Sequence, residues 1–478
     1  MKNININLLF VLLFLLTACS DWLDVDLVNE EEERKLFQTE QGFHEALAGV
    51  YSKMSKSEMY GATLTFGGVD VLGQVYDFSN MLTGYKSLSR YNYEEQEAKD
   101  WIESVWANGY YTIAMVNNIL NYEQSQGDCM PEQVRQQVKG EALALRAWLH
   151  FDLWRLFAPS YSQDKMAECL PYSRVFGIEV QPLCSSEQFL NYCLVDCETA
   201  LRCLEKDPVL SVTPYQIEGS TKNEADQYVA RINYYAVKGL MARIYLTRNS
   251  AGDKVKARTL AEEVIASKKF ALLDYTKSFP ENADQWDILF SDEHIFSLRN
   301  AKIKSYSEGL HYVVSGITNQ GNLQMTDGLK SEVYNGSDND IRFRRWINNV
   351  SVRKYYMSEA NNEFFTPKVP LMRLSEMYLI AAEGWLEEDA GVAQSLVEEL
   401  RKSRFMGEGE EYKLTAFDAE VLLAEMRREY LCEGQMFFIY KRLHHDILRQ
   451  TSPENVKASN EVFVLPMPDA EKENGNRN

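Results

Sequence analysis

The chain has 478 residues, with 70 acidic against 50 basic side chains and a formal charge of −20. That balance excludes a general affinity for nucleic acid, which is driven by Lys and Arg neutralising phosphates, and it makes an anionic membrane face repulsive to the body of the protein. Aromatic residues are abundant, with 27 Tyr, 22 Phe and 8 Trp, and they bring flat apolar faces together with hydroxyl and indole donors.

In chain order, the first feature is an apolar run from Leu8 to Leu16 that closes on Leu16-Thr17-Ala18-Cys19. The run is too short to span a bilayer, which takes roughly 20 apolar residues. Small residues stand just before the cysteine, where a signal peptidase must fit. Residues 1–18 therefore read as a lipoprotein signal, with Cys19 as the acylated residue, since stable anchoring takes two or more chains. Residues 19–36 follow as an acidic tether, and 37–478 as the folded body, expected to sit outside the cytoplasm at a membrane surface.

Apolar residues at helical spacing then mark Gln41 to Met54 and Asp100 to Tyr122. Residues 133–157 form a long candidate helix that is apolar nearly all round from Ala142 to Phe157, as a central core helix would be. The segment Phe189 to Leu204 is amphipathic. Cys193 and Cys197, at i, i+4, with Cys184 and Cys203 nearby, are compatible with zinc, but the helix reading makes them small hydrophobes. Setting Cys19 aside leaves an odd seven cysteines, which excludes a complete disulfide framework.

Val237, Leu240 and Ile244 followed by Ala257, Leu260, Ala261 and Val264 repeat as Leu371, Leu374 and Tyr378 followed by Ala393, Leu396, Val397 and Leu400. Each unit is a helix, a polar turn and a second helix, near the 34-residue period of tetratricopeptide pairs. Trp148 to Phe157 with Glu187 to Leu204 reads as a third pair, and Val421 to Phe438 as a contribution to a fourth. The predicted fold is mainly α, a single compact scaffold of helical hairpins with a loop-rich irregular half. Residues 60–99, 205–228 and 270–369 have no steady period yet are rich in aromatics, and read as loops and short strands carrying a recognition surface.

Several separated motifs resemble the SusD/RagB family of nutrient-binding outer-membrane lipoproteins. They are Cys19-Ser-Asp-Trp-Leu-Asp24, Phe37-Gln-Thr39, Ala46-Leu-Ala-Gly-Val-Tyr51, Asn117-Asn-Ile-Leu120 and Leu145 to Phe157 in the first half. Asp340-Ile-Arg342, Pro370 to Glu383, Arg428-Glu-Tyr-Leu-Cys-Glu-Gly434 and Leu465-Pro-Met-Pro468 follow in the second. One departure is visible: Met436 and Ile439 stand where the family usually has an Arg and an Asp. The resemblance implies a tetratricopeptide-like scaffold, a glycan or in some members a peptide as ligand, and a SusC-like TonB-dependent transporter as partner in the outer membrane.

Sugar binding takes a flat apolar face for the C–H side of a pyranose and planar polar groups for its hydroxyls. The blocks of about 60–99 and 270–369 contain both. The candidate ligand residues are Asp70, Tyr76, Tyr85, Trp286, Tyr306 and Tyr312, the rings to stack and Asp70 to accept from hydroxyls. Asp70 is singled out further because the family often has an acidic residue there. No nucleophile elbow, zinc-protease helix or phosphate loop is present. The expected protein is a non-catalytic receptor without metal or cofactor, with a peptide receptor or a glycoside hydrolase as the alternatives.

Overall fold

The computed structural model describes residues 31–78, 85–177, 179–216, 222–311, 323–335, 337–357, 364–407, 409–449 and 454–475. Cys19 and Tyr312 lie outside these residues. Several helices begin where the sequence supplies a short side-chain oxygen for the unpaired N–H groups of a first turn. The helix Glu40–Met54 (α1) is capped by Thr39, whose hydroxyl accepts from Gly42 N. After Gln96–Gln126 (α2) and Glu132–Phe157 (α3), Ser186–Cys203 (α4) opens with a capping box between Ser185 and Gln188. Asn233 caps Tyr234–Arg248 (α5), and Asp253–Ala266 (α6) follows a turn with Asn249 and Gly252 at positive φ.

The second half continues with Ile303–His311 (α7), then Leu374–Trp385 (α8) and Ala390–Lys402 (α9), the latter capped by Asp389. Ala419–Glu429 (α10) and Met436–Leu443 (α11) complete the main helices. Neighbours in the chain pack on one another, α2 on α3, α3 on α4, α5 on α6 and α8 on α9, while α6 against α8 joins the repeats. The predicted helical pairs are therefore the scaffold, except that Leu371, read as the first helical position of the second repeat, lies in the strand Lys368–Arg373, and the helix begins at Leu374. Val421 to Phe438 is not continuous, because a turn at 430–435 with Cys432 and Gly434 at positive φ divides it into α10 and α11. Among the described residues no helix is long and apolar enough to cross a membrane.

The core runs along α3, every residue of which is buried from Gly140 to Phe157. Cys193 and Cys197 are both fully buried and fill space there as apolar groups. Three small antiparallel ladders decorate the scaffold: Glu168–Pro171 (β1) with Leu183–Ser185 (β2), His294–Arg299 (β3) with Lys368–Arg373 (β6), and Ile347–Asn348 (β4) with Ser351–Val352 (β5). The β3 and β6 pair matters most, since β6 runs directly into α8 and ties the irregular half to the helical one.

Beneath that junction lies a buried ion lattice. Arg373 donates to Glu433, Glu293 and Glu429, and Arg404 donates to Glu293 and Glu429. Arg342 joins Asp340, Glu425 and Glu429. Burial alone would raise the Glu429 carboxyl, but Arg404 and Arg373 outweigh it and hold it well below the usual carboxylate range. The Asp340, Arg373 and Arg428–Gly434 motif blocks, far apart in sequence, thus meet in one network. Charges this deep are tolerated only because each is paired and hydrogen-bonded several times. Met436 and Ile439 are both buried apolar residues of α11, so here a stretch of packing replaces the family's two charges.

Candidate ligand-binding site

The loop-rich half is built on a buried polar layer. The segment after α1 coils through residues 55–67 into the short helix Gly68–Leu72 and leads out through Tyr76. Asp70 Oδ1 accepts from Gly434 N at 2.9 Å, and the Tyr76 hydroxyl lies 3.1 Å from Asp70 Oδ2 and 2.9 Å from Phe66 O. His311 Nε2, on α7, is 3.1 Å from the same hydroxyl, and Cys432 Sγ is 3.3 Å away. Burial pushes the Asp70 carboxyl up to about 8, the N–H of Gly434 and the Tyr76 hydroxyl offsetting only part of it. Burial likewise holds His311 down to about 3, so its ring is neutral.

The layer joins three chain segments into one face. Asp77 N donates to Gln324 O at 2.8 Å, and Gln324 bridges in turn to Ser351. Phe66 lies between His311 and Tyr355, with ring centroids 5.6 and 4.9 Å away. The Tyr355 hydroxyl donates to Cys432 O, and Lys354 Nζ to Leu431 O. Above this floor the side chains reach solvent. Tyr85, Tyr306, Phe78 and Tyr356 are all half-buried. Phe78 sets its ring edge-on to Tyr76 at 6.5 Å. Tyr356 carries Lys304 Nζ at 4.8 Å and the Arg353 guanidinium at 5.4 Å from its ring centroid.

The six predicted ligand residues are placed unequally. Asp70 and Tyr76, 1% and 2% exposed, form the floor and present no face to solvent. Tyr85 stands over Gly67, where a Cβ would meet its hydroxyl oxygen at 2.8 Å. Tyr306 is on α7, five residues before His311. Trp286 is elsewhere: its Nε1 donates to Pro280 O at 2.9 Å, and the Arg345 guanidinium lies 3.7 Å from its ring centroid. Among the described residues no ring contact joins Trp286 to Tyr85 or Tyr306. Tyr312 is outside the described residues.

Lys304, Arg353 and Tyr356 were not singled out from the sequence. Arg353 and Tyr356 stand in Val352-Arg-Lys-Tyr-Tyr356, a turn in which Tyr356 N donates to Arg353 O at 2.9 Å, so that burial there does not follow the alternation of a strand. Lys354 and Tyr355 are buried, while Arg353 and Tyr356 are half-exposed.

Comparison with known proteins adds the family. A SusD-like family described as "starch-binding associating with outer membrane" matches residues 21–246, and the SusD family matches 242–474. No curated protein matches. Among solved structures, a putative sugar binding protein from Bacteroides vulgatus aligns with a TM-score of 0.72 at 20% identity, covering 92% of this chain and 97% of its own. A SusD superfamily protein from Bacteroides thetaiotaomicron aligns at 0.69 and 21% identity, covering 92% and 98%. Surface glycan-binding protein A from Bacteroides thetaiotaomicron in complex with laminarihexaose aligns at 0.65 and 16%, with 92% and 98% covered. These likenesses are of fold. The two sequence matches run end to end through the motif blocks that meet in the ion lattice, and the chain belongs to the SusD/RagB family.

Proposed function

We propose that the protein is a non-catalytic cell-surface receptor that captures oligosaccharide on its loop face and passes it to a SusC-like TonB-dependent outer-membrane transporter. The observation that carries this reading is the pairing of half-exposed rings with cations over a floor whose own hydrogen bonds are closed. Tyr85 and Tyr306 offer aromatic surface for pyranose C–H faces, and Lys304 and Arg353 offer donors to hydroxyls. Asp70 and Tyr76 act from beneath, by fixing the segments that carry those rings. Trp286 is proposed as a separate, outlying contact, and Tyr312 keeps its proposed part on sequence grounds. A relative of this fold holding laminarihexaose supports the ligand class. Cys19 is proposed as the lipid anchor, which would hold the protein at the outer membrane beside the transporter.

The test is a glycan and peptide array probed with the purified protein, followed by calorimetry on the best hit and an assay for new reducing ends. Saturable oligosaccharide binding with no turnover is expected. Binding confined to peptides, or release of reducing ends, would replace the reading with a peptide receptor or a hydrolase.

A further inference from the structure

The ladder of β1 and β2 brings two cysteines to adjacent positions. Glu168 pairs with Ser185, Leu170 with Cys184 and Pro171 with Leu183, so Cys169 is the extra residue of a bulge and stands beside Cys184 on the neighbouring strand. The Cys169 thiol donates to the Cys184 carbonyl oxygen at 3.3 Å. Both side chains pack on the hydrophobic core, which puts them on the same, inner side of the ladder. Opposed residues of an antiparallel pair keep their Cα atoms about 4.5–5.5 Å apart, inside the span of about 4.4–6.8 Å that a disulfide bridges.

No other two of the described cysteines meet across paired strands. Cys193 and Cys197 are one turn apart on α4 and fully buried, and Cys432 lies against Tyr76. Cys184 is half-buried and within reach of a reagent, whereas Cys169 is buried.

The ladder is also one that a cross-link would steady. A lone pair of short strands is marginal, and this one has three rungs broken by a bulge. On the β1 side the Tyr172 hydroxyl donates to Asp196 at 2.7 Å and its ring stacks on His150 at 3.9 Å. The other strand, β2, is half-buried along its length and runs straight into the capping box that opens α4. Between them the loop 172–182 exposes Val175, Phe176 and Val180. We propose that Cys169 and Cys184 form a disulfide in the mature protein, closing this loop at its base and fastening the start of α4 to β1.

The Cys184 thiolate attacks one sulfur of an external disulfide and expels one thiolate; Cys169, giving up its proton, then attacks the mixed disulfide at Cys184 and expels the second. Two protein thiols are oxidised to one disulfide, and the external disulfide is reduced to two thiols that take up the two protons. Burial pushes the Cys169 thiol up to about 11, so the second step is the slow one. An oxidising setting rests on the proposed location outside the cytoplasm; the juxtaposition of the two thiols does not.

The test takes the purified full chain, reduced and then equilibrated with oxidised glutathione, blocks its remaining thiols in denaturant, and cuts it after glutamate without reduction. Cleavage at Glu168, Glu179 and Glu187 places Cys169 in residues 169–179, Cys184 in 180–187, and Cys193 with Cys197 in 188–198. Expected are a loss of two titratable thiols and recovery of 169–179 joined to 180–187 as one species that separates on reduction. The species should persist in Cys193→Ser and vanish in Cys184→Ser, a half-buried position whose exchange leaves the circular dichroism unchanged. Recovery of the two peptides singly, blocked or carrying glutathione, or of 169–179 joined to 188–198, would overturn the proposal. The glycan array reads independently of this pair: a joined species without saccharide binding removes the receptor reading alone, and saccharide binding with Cys169 and Cys184 unjoined removes the disulfide alone.

Discussion

Asp70 accepts a 2.9 Å hydrogen bond from the backbone N–H of Gly434, 364 residues further along the chain. The turn between α10 and α11 thereby fixes the segment that leads to the loop face. Gly434 has φ +66, and a Cβ there would stand 2.5 Å from Leu64 O.

Gly434→Ala is accordingly expected to destabilise by about 1–3 kcal/mol, from left-handed strain and overlap with backbone. A lower urea midpoint with an unchanged m-value checks this; an unchanged midpoint would show that the turn relaxes freely.

The raised Asp70 pKa gives a signed pH dependence. The folded protein holds the Asp70 proton up to about 8 while the unfolded chain releases it near 3.8, so stability from this group falls as pH rises between those values. Asp70→Asn removes the term. Its melting temperature should gain on the parent between pH 5 and pH 8.5. Buried His311 acts in the opposite sense below its ordinary value of 6.5, but it is common to both proteins and cancels in the difference. A gap that stays flat with pH would mean that Asp70 is ionised throughout.

Arg373→Met should be among the most damaging substitutions available. It leaves Glu429, Glu433 and Glu293 short of a partner in a site that excludes water, an expected loss of about 3–5 kcal/mol. Chemical denaturation measures it, and a loss under about 1 kcal/mol would show that water enters the lattice.

Tyr306→Ala and Tyr85→Ala are each expected to weaken oligosaccharide binding about tenfold, or about 1.4 kcal/mol. Trp286→Ala, whose ring is engaged by Arg345, should cost less. Calorimetry on the best array hit ranks the three; an unaltered affinity in both tyrosine variants would remove the loop face from the binding site.

The scaffold was legible because helical pairs are written locally: Val237, Leu240 and Ile244, or Ala393 and Val397, carry their period within a few turns. Caps such as Asn233 and Asp389 mark the starts equally locally. The interruption of 421–438 was less legible, since Val421 to Phe438 keeps apolar spacing across a turn that Gly434 makes. The loop face was legible only as a region. Whether Asp70 and Tyr76 face solvent depends on Gly434, which donates to Asp70, and on Cys432 and His311, which meet the Tyr76 hydroxyl, contacts of long sequence separation that no window contains. The same holds for Trp286, whose ring meets Arg345 and whose indole N–H is spent on Pro280 O.

The fastening of residues 354–356 has a consequence for how such a receptor diversifies. Lys354 and Tyr355 grip the carbonyls of Leu431 and Cys432 from below, and the neighbouring side chain at 356 takes no part in that grip. The clasp by Lys354 and Tyr355 is thus made without the side chain at 356. On the proposed reading of the loop face, ligand preference can shift through position 356 without each step having to re-establish a foldable chain.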